Sequence, residues 1–343
     1  MTAATTAPIS AFICGVEGVQ LTGSEREFLS THRPFGVILF ARNCERPDQV
    51  KALVDDIKQA LNHPLAVILI DQEGGRVARL KPPHWRAYPP AARFAAFDDA
   101  AAAERLTYLN ARLIAHDLSA LGINVNCAPL ADIPVTGSHD IIGDRAFGTT
   151  VSQVTRLARA QANGLHDGGV ISILKHIPGH GRARADSHVA LPVVETSKPK
   201  LEVTDFAPFK ALNDLPMAMT AHVLYSAIDA ERVATLSPTM IRLIREEIGF
   251  DGVLMSDDLS MKALSGTIGD LARGVWQAGC DIVLHCNGNM DEMQAISEVA
   301  VPLAGTSLER CERALASVTS QSTLNESEML AEIERLMPAL YAA

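Results

Sequence analysis

Three short segments carry side chains able to move protons or form a covalent bond: DQEGGRVARL (71–80), KHIPGHGRARADSH (175–188) and SDDLSM (256–261). In the last of these, Asp257 follows the apolar run GVLM. A carboxylate at the end of such a run is costly to bury unless it is paired or used. Asp257 therefore reads as a nucleophile, the plainer alternative being that Asp258 or Ser260 caps a following helix. In the first segment Asp71 is suited to accept hydrogen bonds from hydroxyl groups. Gly74 and Gly75 permit a sharp turn, and Arg76 and Arg79 suit carboxylate or carbonyl recognition. The alternative there is a turn whose charges pair with each other. The middle segment is the richest. Lys175 and His176 can donate to a ligand, and Gly179, Gly181, Ala183 and Ala185 predict a mobile loop. Asp186 and His188 stand two residues apart, on one side of an extended chain. Asp186 can then bond one imidazole nitrogen and leave the other free for proton transfer. A metal site of His176, His180 and His188, or a plain polar loop, are the competing readings.

These groups need a scaffold that gathers them, and the rest of the sequence supplies one. Eight apolar runs read as strands: 11–18, 36–40, 65–71, 123–129, 172–177, 217–223, 252–257 and 281–287. Continuous apolar runs indicate parallel strands buried on both faces. Helical stretches separate them, including 48–61, 101–122, 237–249 and 260–279, with a last amphipathic helix at 324–338. In 237–249, Ser237 is placed as N-cap, Pro238 in the first turn and Gly249 as the stop. Alternation of eight such units predicts an α/β fold, a single (β/α)₈ TIM-type barrel. A doubly wound open sheet is the rival, disfavoured by the absence of GxGxxG after the first run. No Pro/Gly/Ser-rich linker divides the chain, so one domain over 1–343 is expected. Just past the runs stand Asp71, Lys175, His176, His222, Asp257 and Asn287, on the face where barrel enzymes hold their active sites. This asymmetry points to an enzyme with a polar small-molecule substrate.

The composition narrows the class further. The formal net charge is −10 over 343 residues. An acidic chain without a Lys/Arg run is a poor candidate for nucleic acid or anionic membrane binding. The six cysteines form no CxxC pair and fall in or beside apolar runs, which suits free thiols in a reducing compartment. The N-terminal MTAATTAPIS has neither basic nor apolar signal regions, so a cytoplasmic location is expected, with no cofactor, no metal and no obligatory protein partner.

Taken together, DQEGGRV, GDRAFG (143–148), KHIPGHG followed by DSH, and SDDLSM resemble family 3 of the glycoside hydrolases, in particular its single-domain bacterial β-N-acetylglucosaminidases. The resemblance extends from the first run to Asn287, and KH-x-PGHG with a downstream DSH is highly specific. It implies Asp257 as catalytic nucleophile, His188 as general acid/base with Asp186 as its partner, and Asp71, Arg79, Arg145, Lys175 and His176 as sugar-binding residues. It also implies removal of terminal N-acetylglucosamine from 1,6-anhydro-N-acetylmuramyl peptides during peptidoglycan recycling. Ile177 stands where the family more usually has Phe. Three other readings remain: a metal-dependent amidohydrolase using His176, His222 and Asp257, a glycosyl phosphorylase on the same scaffold, and a silent sugar-binding protein.

Overall fold

The apolar runs become strands, and the segments between them return outside as helices. The computed structural model describes residues 8–187, 189–318, 325–338 and 340–341. Its strands are β1 (Ser10–Gly15), β2 (Pro34–Leu39), β3 (Val67–Ile70), β4 (Val125–Asn126), β5 (Ile171–Ile177), β6 (Val193–Val194), β7 (Met217–Thr220), β8 (Leu224–Tyr225), β9 (Val253–Asp258) and β10 (Ile282–His285). Eight of them close a barrel in the order β1-β10-β9-β7-β5-β4-β3-β2, with every pairing parallel. The barrel expected from the sequence is therefore present. The β6–β8 pair lies outside it. It was not anticipated, because two-residue strands leave no periodicity to read.

Alternation along each strand sorts side chains between two cores. Ile13, Ile38, Leu69, Val125, Ile173, Met219, Met255 and Leu284 fill the barrel interior. Phe12, Val37, Ile70, Leu174, Ala218, Leu254 and Val283 face outward and pack beneath the helices. Carried one step past Leu69, Ile173 and Met255, the same parity sends Asp71, Lys175 and Asp257 into the barrel mouth. Asp258 takes the other side, toward the buried His285, whose Nδ1 lies 3.9 Å from Asp258 Oδ1.

Helix boundaries follow local chemistry. The helix Ala100–Ala120 starts where Asp99 accepts from the Ala101 and Ala102 N–H groups. Ser237 caps Pro238–Leu243 as expected, and Gly249 ends the element in the left-handed region at φ 79°. Its second half, Ile244–Ile248, is a π-turn. One expectation needs correction. The helix read at 260–279 is Ile268–Ala278, capped by Thr267. The Asp258 carboxylate captures both the N–H and the hydroxyl of Ser260, which folds the start of this segment into a turn. The last helix is Glu326–Leu336, with a capping box between Asn325 and Glu328. Among the described residues no helix is long and apolar enough to cross a membrane.

The N-terminal end of the barrel is closed by an ion network. Asp281 accepts from Arg245, the Leu254 N–H, Ser307 and Arg310, and Arg310 and Arg313 both reach Asp251.

Candidate active site

The C-terminal ends of β3 and β5, with the loop after β4, assemble a chain of alternating charges. Arg79 donates to Asp71 Oδ2 at 3.0 Å, and Lys175 Nζ lies 2.9 Å from Asp71 Oδ1 and 2.7 Å from Glu73 Oε1. Arg145 closes the row with two bonds of 2.9 Å to Glu73. Burial alone would raise the carboxylate pKa values. The Lys175 and Arg79 charges overcome it at Asp71, and Arg145 and Lys175 bring Glu73 down to about 2. Burial likewise works against the Lys175 charge, but Asp71 and Glu73 hold its pKa above the ordinary lysine value. Asp71, Glu73, Lys175 and Arg145 are thus held in their charged forms. Three cations against two carboxylates leave donor capacity facing the cavity, since Lys175 and the arginines carry more N–H groups than their partners accept.

A second cluster forms around Asp132, in the loop after β4. This fully buried carboxylate accepts from His176 Nδ1 at 2.7 Å and from the backbone N–H groups of His176 and His180. A carboxylate at that distance makes Nδ1 the donor, so Nε2 is the nitrogen His176 presents, 4.0 Å from Asp257 Oδ2. Burial pushes the Asp257 pKa up, but His176, His222, the Asp258 N–H and Lys175 outweigh it and hold it below the ordinary value. The Asp258 N–H donates to Asp257 Oδ1 at 2.8 Å. Asp257 is therefore an ionised carboxylate with one oxygen anchored. His180, buried beside His176, has its pKa pushed down to about 4 by burial and that neighbour. Its Nε2 lies 3.3 Å from Ser187 Oγ.

Asp71, Arg79, Arg145, Lys175, His176 and Asp257 all line one cavity of about 270 Å³. That is near the lower end of the roughly 300–1,000 Å³ range of small-molecule pockets. Its apolar wall includes Phe40, Val77, Ile142, Met219, Met261 and Leu284, and the guanidinium groups of Arg42 and Arg79 both lie within about 5 Å of the Phe40 ring centre. A larger cleft of about 420 Å³ sits at the opposite end of the barrel. Its arginines, Arg159 and Arg313, are paired with Asp214 and Asp251, so it offers no comparable chemistry. Asp186 lies in the loop after β5, where its carbonyl accepts from the Val189 and Ala190 N–H groups. Ser187 is buried against the same cavity, and its carbonyl accepts from the Ala263 N–H. His188 lies outside the described residues.

His222 is not available as a metal ligand. Its Nδ1 is 2.7 Å from Thr235 Oγ1 and its Nε2 is 3.0 Å from the Asp258 carbonyl oxygen. The His176–His222–Asp257 ligand set of the amidohydrolase reading is therefore not formed. Asn287 bonds Glu292 outside the cavity. Sequence reasoning missed Glu73 and Asp132. Glu73 stands two residues beyond Asp71, and its signal is that a turn of only a few residues places it against the same lysine. Asp132 carries no local signal, since a lone Asp in APLADIPV reads as a loop residue.

The model of the glycosyl hydrolase family 3 N-terminal domain matches residues 13–320. A β-hexosaminidase from Alkalilimnicola ehrlichii is 42% identical over 279 residues, covering 80% of this chain and 79% of its own. One from Methylococcus capsulatus is 37% identical over 325 residues, covering 92% and 94%. Among solved structures, NagZ from Neisseria gonorrhoeae in complex with N-trifluoroacetyl-D-glucosamine superposes with a TM-score of 0.82 at 32% identity, over 97% of this chain and 96% of that one.

Proposed function

The chain belongs to glycosyl hydrolase family 3, and from that premise we propose that it is a retaining exo-β-N-acetylglucosaminidase. It is a glycoside hydrolase, related to β-hexosaminidases. The proposed substrate is N-acetylglucosamine joined to a 1,6-anhydro-N-acetylmuramyl peptide, cleaved in the cytoplasm during peptidoglycan recycling by a single catalytic domain. The observation that carries the reading is Asp257: an ionised carboxylate, anchored through one oxygen, in the mouth of a sugar-sized cavity. A ligand of the amino-sugar class in the related gonococcal structure supports it.

In this reading Asp71, Arg79, Arg145, Lys175 and His176 hold the hydroxyls of the terminal sugar. Their ion pairs, with one another and with Glu73 and Asp132, fix the donors before substrate arrives, so little reorganisation accompanies binding. Asp257 attacks the anomeric carbon as the bond to the leaving oxygen breaks, giving a covalent glycosyl-enzyme. His188, oriented by Asp186, protonates that oxygen and then takes a proton from the water that releases the sugar. The test compares nitrophenyl β-N-acetylglucosaminide and β-glucoside, with and without added phosphate. Hydrolysis of the first alone, with no sugar phosphate formed, is expected. Preference for the glucoside, or release as a sugar phosphate, would overturn the specificity or the hydrolytic outcome respectively.

The His188→Ala variant tests the acid/base. Acid–base assistance is worth roughly 10²–10⁴-fold, and a sugar alkoxide needs it far more than an activated phenolate. The variant should lose much more rate on a disaccharide than in glycosyl-enzyme formation from a nitrophenyl glycoside, and azide should accelerate its turnover. Equal losses on both substrates without azide acceleration would assign His188 to binding.

A further inference from the structure

His222 is completely buried just past the end of β7 and does not line the cavity. Its two ring nitrogens face different partners. Nε2 points at the Asp258 carbonyl oxygen, which can only accept, so Nε2 must carry a hydrogen. Burial favours the neutral ring and lowers its pKa, against the attraction of Asp257 and Asp258. In the neutral ring Nδ1 is then a lone pair, and the Thr235 hydroxyl, which also lies 3.2 Å from the Ala221 carbonyl oxygen, donates to it over the shorter 2.7 Å contact. Thr235 Oγ1 in turn accepts from Thr220 Oγ1 at 2.8 Å. The bonds run one way, Thr220 to Thr235 to His222 to the Asp258 carbonyl. Thr220, Thr235 and His222 are all fully buried.

The far end of this chain is the nucleophile's anchor. The peptide group between Asp258 and Leu259 is gripped on both edges, its oxygen by His222 and its N–H by the Leu284 carbonyl. With that peptide fixed, the Asp258 N–H is aimed at Asp257 Oδ1, leaving Oδ2 as the oxygen free toward the cavity. The charged and titratable groups around His222 are Asp257 and Asp258 on β9 and His176 on β5. The ring bonds the Asp258 backbone oxygen and the Thr235 hydroxyl rather than any of their carboxylates or the His176 imidazole.

We infer that His222 is a positioning residue for Asp257, acting through the backbone of Asp258, and that the Thr235 hydroxyl holds the imidazole ring in the orientation this requires. The inference rests on Asp257 as the nucleophile. Thr235→Val keeps the side-chain shape and removes the donor, whereas Thr235→Ser keeps the donor. With the donor gone, Nδ1 loses its partner, the ring is free to turn out of line with the Asp258 oxygen, and the anchor loosens. Misplacement of a reacting group by about 1 Å can cost on the order of 10²-fold.

The experiment measures the pre-steady-state rate of glycosyl-enzyme formation from dinitrophenyl β-N-acetylglucosaminide, where acid assistance matters least. Alongside it are measured the inhibition constant of N-acetylglucosamine and the ¹⁵N shifts of the His222 ring, assigned by comparison with His222→Gln. The wild type is expected to show a protonated Nε2 and an unprotonated Nδ1. Thr235→Val should keep the protonated Nε2, shift the Nδ1 resonance as it loses its donor, and form the adduct roughly 10- to 100-fold more slowly, with the inhibition constant unchanged. Thr235→Ser should match the wild type. A wild-type rate in Thr235→Val, an equal loss in Thr235→Ser, or a protonated Nδ1 in the wild type overturns the inference. If Thr235→Val does not fold, His222→Gln decides, since its amide can donate to the Asp258 oxygen unaided: it should exceed His222→Leu in rate, and equality overturns the proposal. Mapping a trapped fluorosugar adduct separates the two ideas. An adduct away from Asp257 sinks the nucleophile assignment itself, whereas an Asp257 adduct formed at the wild-type rate in Thr235→Val sinks only the role of His222.

Discussion

Asp257 and Asp258 carry the same group one residue apart and meet opposite surroundings. Asp257 faces the cavity with one oxygen bonded, whereas Asp258 accepts from the Cys286 N–H and from Ser260. Asp257→Ala should therefore lower kcat by several orders of magnitude with the fold intact, because the covalent route is lost. Asp258→Ala should lower Tm and leave most of the activity. The reverse pattern would place the nucleophile at Asp258. The buried titratable groups give a pH prediction as well. Glu73 falls from 4.5 to about 2 in the native state, so its contribution is fully present above the unfolded value and is lost as pH falls through about 2. His180 falls from 6.5 to about 4, so between those values the unfolded chain binds a proton that the native state refuses. Both make acid destabilising. Tm scans should show His180→Asn flattening the decline between about pH 6.5 and 4, and Glu73→Gln flattening it between about 4.5 and 2. An unchanged slope in either window would mean that the group is not held as described. At this scale the sequence disclosed the reactive residues that end strands. It did not disclose Asp132 or the pairing of Glu73 with Arg145, because both depend on contacts between segments far apart in the chain.

Elements were more legible than their edges. All eight barrel strands lie within a few residues of the apolar runs, since burial on both faces leaves an unbroken apolar signature. The helix at Ile268–Ala278 was read eight residues too early because the Asp258–Ser260 turn looks in sequence like a cap. What positions the loop after β5 was not legible at all. Gly181 packs against the backbone of Ile133, and a Cβ there would meet the Ile133 carbonyl oxygen at 2.1 Å. Gly181→Ala must therefore push the two loops apart. Because the loop carries Asp186, the substitution should lower turnover of a disaccharide more than that of an activated aryl glycoside. Equal effects on the two substrates would show that the contact matters only for folding.

The whole molecule separates its tasks by end. The site gathers at the C-terminal ends of the strands, and the Asp281 network with Arg245 and Arg310 ties the other end. Removing one partner of a buried ion pair typically costs about 3–5 kcal/mol. Asp281→Ala should thus lower Tm clearly and leave KM for the aryl glycoside unchanged. A changed KM would mean that the two ends are coupled. Barrel closure has a further consequence for the newborn chain. β1 pairs with β2 on one side and with β10 on the other, Phe12 opposite Val283. As the ribosome releases the chain from its N-terminus, β1 is made early, yet its second neighbour emerges some 270 residues later. At about 5–20 residues per second, that edge waits on the order of tens of seconds with its backbone hydrogen-bonding groups unpaired, a state prone to pairing with other chains. Synthesis rate and chaperone supply, more than native stability, should then govern how much of this protein reaches its closed form in a cell.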